Sequence, residues 1–183
     1  MELERNLLIA PPAMKDSFWA KTVILVTEHQ SQGSLGLVIN KRSEMTVNQF
    51  CQQLGFEDVD IDGYVYIGGP VNRQSLSFIH SSEWSSTNTL RLDDRFSISS
   101  DHDIVPRLCL GDRPKHWRIM LGLCTWTAGQ LDGELKGEAP WPRETAWCTA
   151  TTDLDLLFKT DQSEQWCQAL DRSGAEFAQS ILL

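Results

Sequence analysis

Residues 22–27 (TVILVT) and 35–39 (LGLVI) are continuous apolar runs rather than alternating ones. A strand with one wet face alternates apolar and polar residues, whereas a continuous run reads as a strand covered on both faces. Any fold of this chain must therefore cover both strands on both sides. The connection between them, EHQSQGS, must serve as a hairpin loop. It places a carboxylate (Glu28), an imidazole (His29) and a glycine (Gly33) at one turn, with Gly36 inside the second strand and Asn40 at its end. Gly33 suits a turn position with positive φ. Gly36 has no side chain to pack, which suggests a bulge or a close backbone approach. Glu28 and His29 are adjacent, so in a continuing strand they point to opposite faces and form no side-by-side dyad.

The remaining pattern is read in the same way. Residues 117–123 (WRIMLGL) form a third buried strand, expected in the same sheet as the first two. Residues 6–10 read as a strand stopped by Pro11 and Pro12. Residues 64–67 are a strand ending in Gly68-Gly69-Pro70, residues 76–80 alternate weakly, and residues 90–92 and 96–99 flank a short hairpin. Residues 147–149 are extended. A helix over 46–54 aligns Val47, Phe50, Cys51 and Leu54, with Gly55 as its C-cap. Residues 16–20 give one helical turn, and helices are expected over 101–110 (with Pro106 in the first turn), 130–136, 153–158 and 163–172. The last carries Trp166, Cys167 and Leu170 on one stripe, with Gly174 past its end. Hairpin-joined strands with helices between and after them indicate an α+β fold, with a curled or partly closed sheet. No repeat or linker breaks the 183 residues, so a single domain over 1–183 is expected.

Composition narrows the function classes. No run of eighteen apolar residues exists to span a bilayer, and the N-terminus lacks the basic and long apolar regions of a signal peptide. The expectation is a cytoplasmic protein with no membrane partner. Five scattered cysteines without CxxC or Cys/His spacing read as small buried hydrophobes, neither disulfide framework nor metal site. A net charge of −9 argues against nucleic acid as a partner, the only basic concentration being Arg113, Lys115, His116 and Arg118. Asp101-His102-Asp103 is explained by acidic preference at a helix start, so no metal is assigned. No nucleophile elbow, P-loop or dinucleotide fingerprint appears, and no cofactor or catalytic residue is assigned. The structural reading of the opening turn is that Glu28 or His29 braces a loop by hydrogen bonds. The functional reading makes Glu28, His29, Gly33 and the Gly68-Gly69 turn one polar corner whose backbone N–H groups face an anion, with Asn40 as its weaker member. Gln130, at a helix start, is a further binding candidate. The tryptophans near turns (Trp19, Trp84, Trp141, Trp147) read mainly as anchors of loops onto the core.

An ordered set of segments carries a resemblance over nearly the whole chain: NLLIAPPAMKDSFWAKTVILVTEH, GSLGLVIN, GGPV at 68–71, SFIH ending at His80, GLCTWTAGQLDGEL at 122–135, DLDLLF at 153–158 and Trp166. In these the chain resembles the AlgH/YqgE family of bacterial proteins. The resemblance implies an α+β fold with a bifurcated, mostly antiparallel sheet curled into a pseudo-barrel and flanked by helices. It brings no established activity. The family is linked to regulation of alginate synthesis and carries a transcriptional-regulator label, yet nothing here looks like a helix-turn-helix. The stretch KGEAPWPRETAW is longer than the family's, with Thr145 where Asn is common and Trp147 matching the family's Trp. Leu76 stands near a position that the family often fills with Gly. The leading expectation is a non-enzymatic binding or regulatory protein with a protein or small-molecule partner. The alternatives are a DNA-linked transcriptional regulator and a hydrolase-like enzyme.

Overall fold

The structure is a computed structural model that describes residues 3–16, 18–57 and 59–181. Among these the strands are β1 (Asn6–Ile9), β2 (Val23–Gln30), β3 (Gly33–Val38), β4 (Arg42–Thr46), β5 (Tyr64–Ile67), β6 (Val71–Ser81), β7 (Leu90–Arg91), β8 (Phe96–Ser99), β9 (Trp117–Thr127) and β10 (Cys148–Thr151). The α-helices are α1 (Val47–Gln53), α2 (Ile104–Cys109), α3 (Gln130–Lys136) and α4 (Gln162–Ile181), with a 3₁₀ turn at Arg143–Thr145 and a π-helical turn at Asp155–Lys159. The class is α+β, and the sheet is mostly antiparallel: only β5 and β9 run parallel. It branches at β9, which pairs with β3, β5 and β6. The chain divides into two compact units, Met1–Asn40 with Cys124–Leu183, and Lys41–Leu123. Of the turn expected at 16–20, Ser17 lies outside the described residues.

In the first unit the strand order is β10-β1-β2-β3, and β3 continues the ladder onto residues 124–127 of β9. The apolar runs explain the order. Val23, Ile24, Leu25 and Val26 are fully buried, which a strand achieves only with neighbours on both edges and cover on both faces. Ile24 and Val26 join Leu8, Val38, Trp126, Leu131 and Trp147 in one apolar cluster. The helix α4 packs against β1, β2 and β10. It runs to Ile181, well past the expected end at 172, and Gly174 lies inside it. Its buried positions are Gln165 and Ala169, while Cys167 is exposed. The apolar count misplaced the stripe because Gln165 is buried for a polar reason: its Nε2 donates to the Leu156 carbonyl at 2.6 Å in the π-helical turn.

The second unit pairs β4 with β5, β5 with β9, β6 with β9 and β8, and β7 with β8. The helix α1 starts with a capping box, Thr46 Oγ1 accepting from the Gln49 N–H and the Gln49 side chain accepting from the Thr46 N–H. Pro106 is the third residue of α2, where its missing N–H costs nothing. Both helices and the strands bury Val47, Phe50, Val65, Phe78, Ile104, Leu108 and Ile119 in one core. The five cysteines are free thiols. Cys51 is buried against Cys109, and burial pushes its thiol pKa up to about 12, so it stays protonated and inert.

His80 sits at the end of β6, fully buried. Its Nε2 lies 2.9 Å from Ser99 Oγ and its Nδ1 3.0 Å from the Ser81 carbonyl oxygen. Burial holds its pKa below the ordinary value of 6.5. The unfolded chain therefore takes up a proton near pH 6.5 that the folded chain refuses, so stability present above that pH is lost as the pH falls toward the folded-state pKa. Thermal midpoints measured between pH 8 and 5 are expected to decline below about pH 6.5, and the decline should be shallower in His80→Asn. An unchanged slope in that variant would assign the loss elsewhere.

Candidate functional site

The first unit gathers its polar side chains on one face, where β2, β3 and the end of β9 meet α3. His29 and Ser34 are cross-strand partners, and Ser34 pairs on its other side with Trp126. Residues opposite one another in a ladder share a face. Ser34 Oγ lies 2.8 Å from His29 Nδ1, and Asp132 Oδ1 on α3 lies 3.7 Å from His29 Nε2. Glu4 accepts a hydrogen bond from the His29 N–H at 3.1 Å. Next to this row stands Glu134. Its Oε2 accepts the indole N–H of Trp126 at 3.0 Å and that of Trp147 at 2.8 Å. Its Oε1 accepts from Gln130 Nε2 at 2.9 Å. Both indoles are buried, so the carboxylate satisfies two donors that have lost water. Gln130 is fully engaged, since its Oε1 also accepts the Thr127 N–H at 3.0 Å.

Glycines make this packing possible. Gly36 lies under the Trp126 ring, and a Cβ there would come within 2.7 Å of Ile24 Cγ2 and 3.1 Å of the Leu25 carbonyl oxygen. Gly33 has φ +149° and closes a two-residue hairpin turn opposite Gln30. A Cβ on Gly33 would meet the Trp126 carbonyl oxygen at 2.5 Å. Thr27 is the extra residue of a bulge between the Val26 and Glu28 pairs. The bulge shifts alternation by one, which sets His29 on the Ser34 face.

A pocket of about 300 Å³ opens beside this face. Leu3, Leu135 and Trp147 give it apolar walls, and Asp132, Lys136 and Thr149 give it polar ones. Trp19 packs edge-on against Trp147 and fixes the indole from behind. Trp141 rests on Gly133 of α3, so the lengthened stretch before β10 is tied down by an aromatic anchor.

The residues singled out from sequence are distributed as follows. His29, Gly33 and Gln130 belong to this face. Glu28 is half-buried opposite Leu35, and among the described residues its carboxylate has no hydrogen-bond partner. Asn40 stands at the other end of the hairpin, where its Oδ1 accepts the Val23 N–H at 2.9 Å and its Nδ2 donates to the Lys21 carbonyl at 2.8 Å. Gly68 and Gly69 belong to the second unit. The Gly68 N–H donates to the Leu121 carbonyl at 2.7 Å. A Cβ on Gly122 would come within 2.5 Å of the Gly69 carbonyl oxygen, so this glycine pair serves close strand packing. Ser34, Trp126, Asp132 and Glu134 were not candidates from sequence; only their cross-strand and cross-helix partners single them out. Among the described residues no group of His, Cys, Asp and Glu could hold a metal ion.

Bracing belongs to His29 rather than to Glu28. His29→Ala would strand the Ser34 hydroxyl, which is 5% exposed, and is expected to cost about 1–3 kcal/mol. Glu28→Ala should change stability by less than about 0.5 kcal/mol. Urea denaturation of the two variants reads the difference, and equal losses would overturn the assignment.

A branched, mostly antiparallel sheet with helices and one polar face against a short helix defines the class. A family model described as AlgH-like matches residues 7–178, and the chain belongs to that family. A UPF0301 protein of Azoarcus sp. (strain BH72) is 34% identical over 182 residues, covering 96% of this chain and 92% of that protein. A UPF0301 protein of Idiomarina loihiensis is 31% identical over 176 residues, covering 94% and 91%. The solution structure of the AlgH protein from Pseudomonas aeruginosa matches with a TM-score of 0.76 at 33% identity, over 94% of this chain and 89% of that one. A crystal structure of a Corynebacterium diphtheriae protein shares the fold, with a TM-score of 0.71 at 22% identity over 92% and 85%.

Proposed function

We propose that this chain acts by binding rather than by catalysis, and that the pocket beside Trp147 takes a small amphipathic ligand. The observation that carries the reading is a separation. Two imidazole–hydroxyl pairs, His29 with Ser34 and His80 with Ser99, each have a buried serine. The open pocket contains no such pair. Ser34 also lies in a strand with ladders on both edges, which supplies no free backbone N–H pair to stabilise an oxyanion. The pocket has the apolar walls and few polar groups of a small-molecule site, at the lower end of the usual size range of about 300–1,000 Å³. An apolar ligand body would lie on Trp147, Leu3 and Leu135, with its polar end toward Asp132 and Lys136. A regulatory role would follow from such a ligand rather than from DNA, which the charge of −9 opposes.

Two measurements test this. A metabolite collection screened by thermal shift should yield a ligand whose stabilisation Asp132→Asn and Trp147→Phe reduce. A fluorophosphonate probe should leave Ser34 unlabelled. Labelling of Ser34, abolished in His29→Ala, would replace the binding reading with a hydrolase.

A further inference from the structure

The strand β10 is the end of the strand order in the first unit, with β1 on one side only. An open edge is a template for a further strand, and proteins ordinarily protect it. Here the protection is partial. Glu176 of α4 accepts the Thr151 N–H at 3.1 Å, and Arg172 Nη1 donates to the Thr151 carbonyl at 3.2 Å. Both ladder groups of Thr151 therefore point away from β1 and are taken by α4. In an antiparallel pair the direction of these groups alternates along the strand. Thr149, two residues earlier and paired with Leu8, must present its N–H and C=O to the same open side.

That open rung borders a groove of about 640 Å³ between β10 and the second half of α4. Cys148, Leu170 and Phe177 supply its apolar surface, and Phe177 is 68% exposed. Gly174 forms a notch in the helix wall, since a Cβ there would meet nothing within 4 Å. Among the described residues of the lining, Glu176 carries the one carboxylate, and burial pushes the Cys148 thiol pKa up so that it stays neutral. Among the described residues it has hydrogen bonds to Thr151 but no cationic partner, because Arg172 pairs with Asp153.

We propose that this groove docks an extended peptide from another protein, added as a strand to β10. The peptide backbone pairs with Thr149, one large apolar side chain lies against Leu170 and Phe177 over the Gly174 notch, and a neighbouring Lys or Arg meets Glu176. Strand addition uses main-chain hydrogen bonds for affinity and alternate side chains for specificity. The charge decides the occupant. A peptide with basic residues complements the uncompensated carboxylate and the net −9 of the chain, whereas a second copy would bring the same charge to the same edge.

The test uses the full chain and a fluorescein-labelled octapeptide of alternating Lys and Val, read by anisotropy. Controls are octapeptides of Lys and Ser, of Glu and Val, and the Lys–Val peptide with N-methylated valines. Saturable binding is expected for the Lys–Val peptide alone, at least tenfold tighter than for any control. Gly174→Leu is the decisive variant. It fills the notch with a side chain at a helical position that meets no neighbour, so its thermal midpoint should be unchanged or higher while peptide affinity falls at least tenfold. Glu176→Gln should weaken the Lys–Val peptide about threefold or more and flatten its salt dependence. Equal binding of the Lys–Ser peptide, indifference to N-methylation, or full affinity in Gly174→Leu would overturn the proposal. So would a concentration-dependent dimer, seen by light scattering, that Gly174→Leu abolishes, since the groove would then hold a second copy. Failure of this test leaves the pocket beside Trp147 standing, because none of these variants lines it.

Discussion

Glu134→Ala is expected to lower the folding free energy by about 2–4 kcal/mol, because two buried donors lose a shared acceptor at once. Trp126 and Trp147 are 6% and 8% exposed, and both indole N–H groups end on the same oxygen of Glu134. Glu134→Gln should be milder, at about 1 kcal/mol. Its amide oxygen can keep the two indoles, but its NH₂ then faces the Gln130 NH₂ that the carboxylate accepted. Urea denaturation gives the ranking Ala worse than Gln worse than the parent. A loss below about 1 kcal/mol for the alanine variant would mean that the indoles find other acceptors.

Gly122→Ala carries the second large effect. Gly122 lies within β9 at φ +79°, a left-handed conformation that costs an L-residue about 1–2 kcal/mol. A Cβ there would also stand 2.5 Å from the Gly69 carbonyl oxygen and 3.2 Å from that of Val71. Both are backbone atoms, Gly69 in the tight connection from β5 to β6 and Val71 at the start of β6, so neither can swing aside as a side chain would. The expected loss is at least about 3 kcal/mol, in the range reserved for overpacking and strained backbone. Gly129→Ala supplies the control. Gly129 has nearly the same φ, +73°, but a Cβ would meet nothing within 4 Å. It should cost only about 1 kcal/mol. Similar losses for the two would show that φ alone, and not the approach of Gly69, demands glycine at 122.

These two predictions separate what the chain displays locally from what it hides. The apolar runs at 22–27 and 35–39 announced two buried strands, and the turn residues between them announced the hairpin. Periodicity also placed α3 at its observed bounds and α1 within a residue, since Thr46 and Gln49 satisfy its first N–H groups through the sequence itself. β9 was legible only to residue 123. Its extension to Thr127 alternates buried Cys124 and Trp126 with exposed Thr125 and Thr127, a pattern that means a strand only once β3 is known to lie beside it. The end of α4 failed for a related reason. Gly174 reads as a stop signal, yet helix hydrogen bonding continues through it to Ile181.

Sequence alone determined the elements whose causes are local: the apolar runs, the helical spacing of α1, the hairpin turn and the proline in the first turn of α2. The ordered segments also determined the family, because they follow its motifs in order along nearly the whole chain. Tertiary structure alone decided the geometry of the candidate site and of the contacts between distant residues. It set His29 against Ser34 through a one-residue bulge, made Glu134 the shared acceptor of two indoles, and tied Asn40 into the backbone of β2. It gave Gly69 its meaning through Gly122, 53 positions away by their numbers in the chain. It also left one rung of β10 open beside α4. The physical reason is common to all of these. A hydrogen-bond partner or a close approach is a relation between residues distant in the chain, and desolvation fixes its value only after both have been brought together.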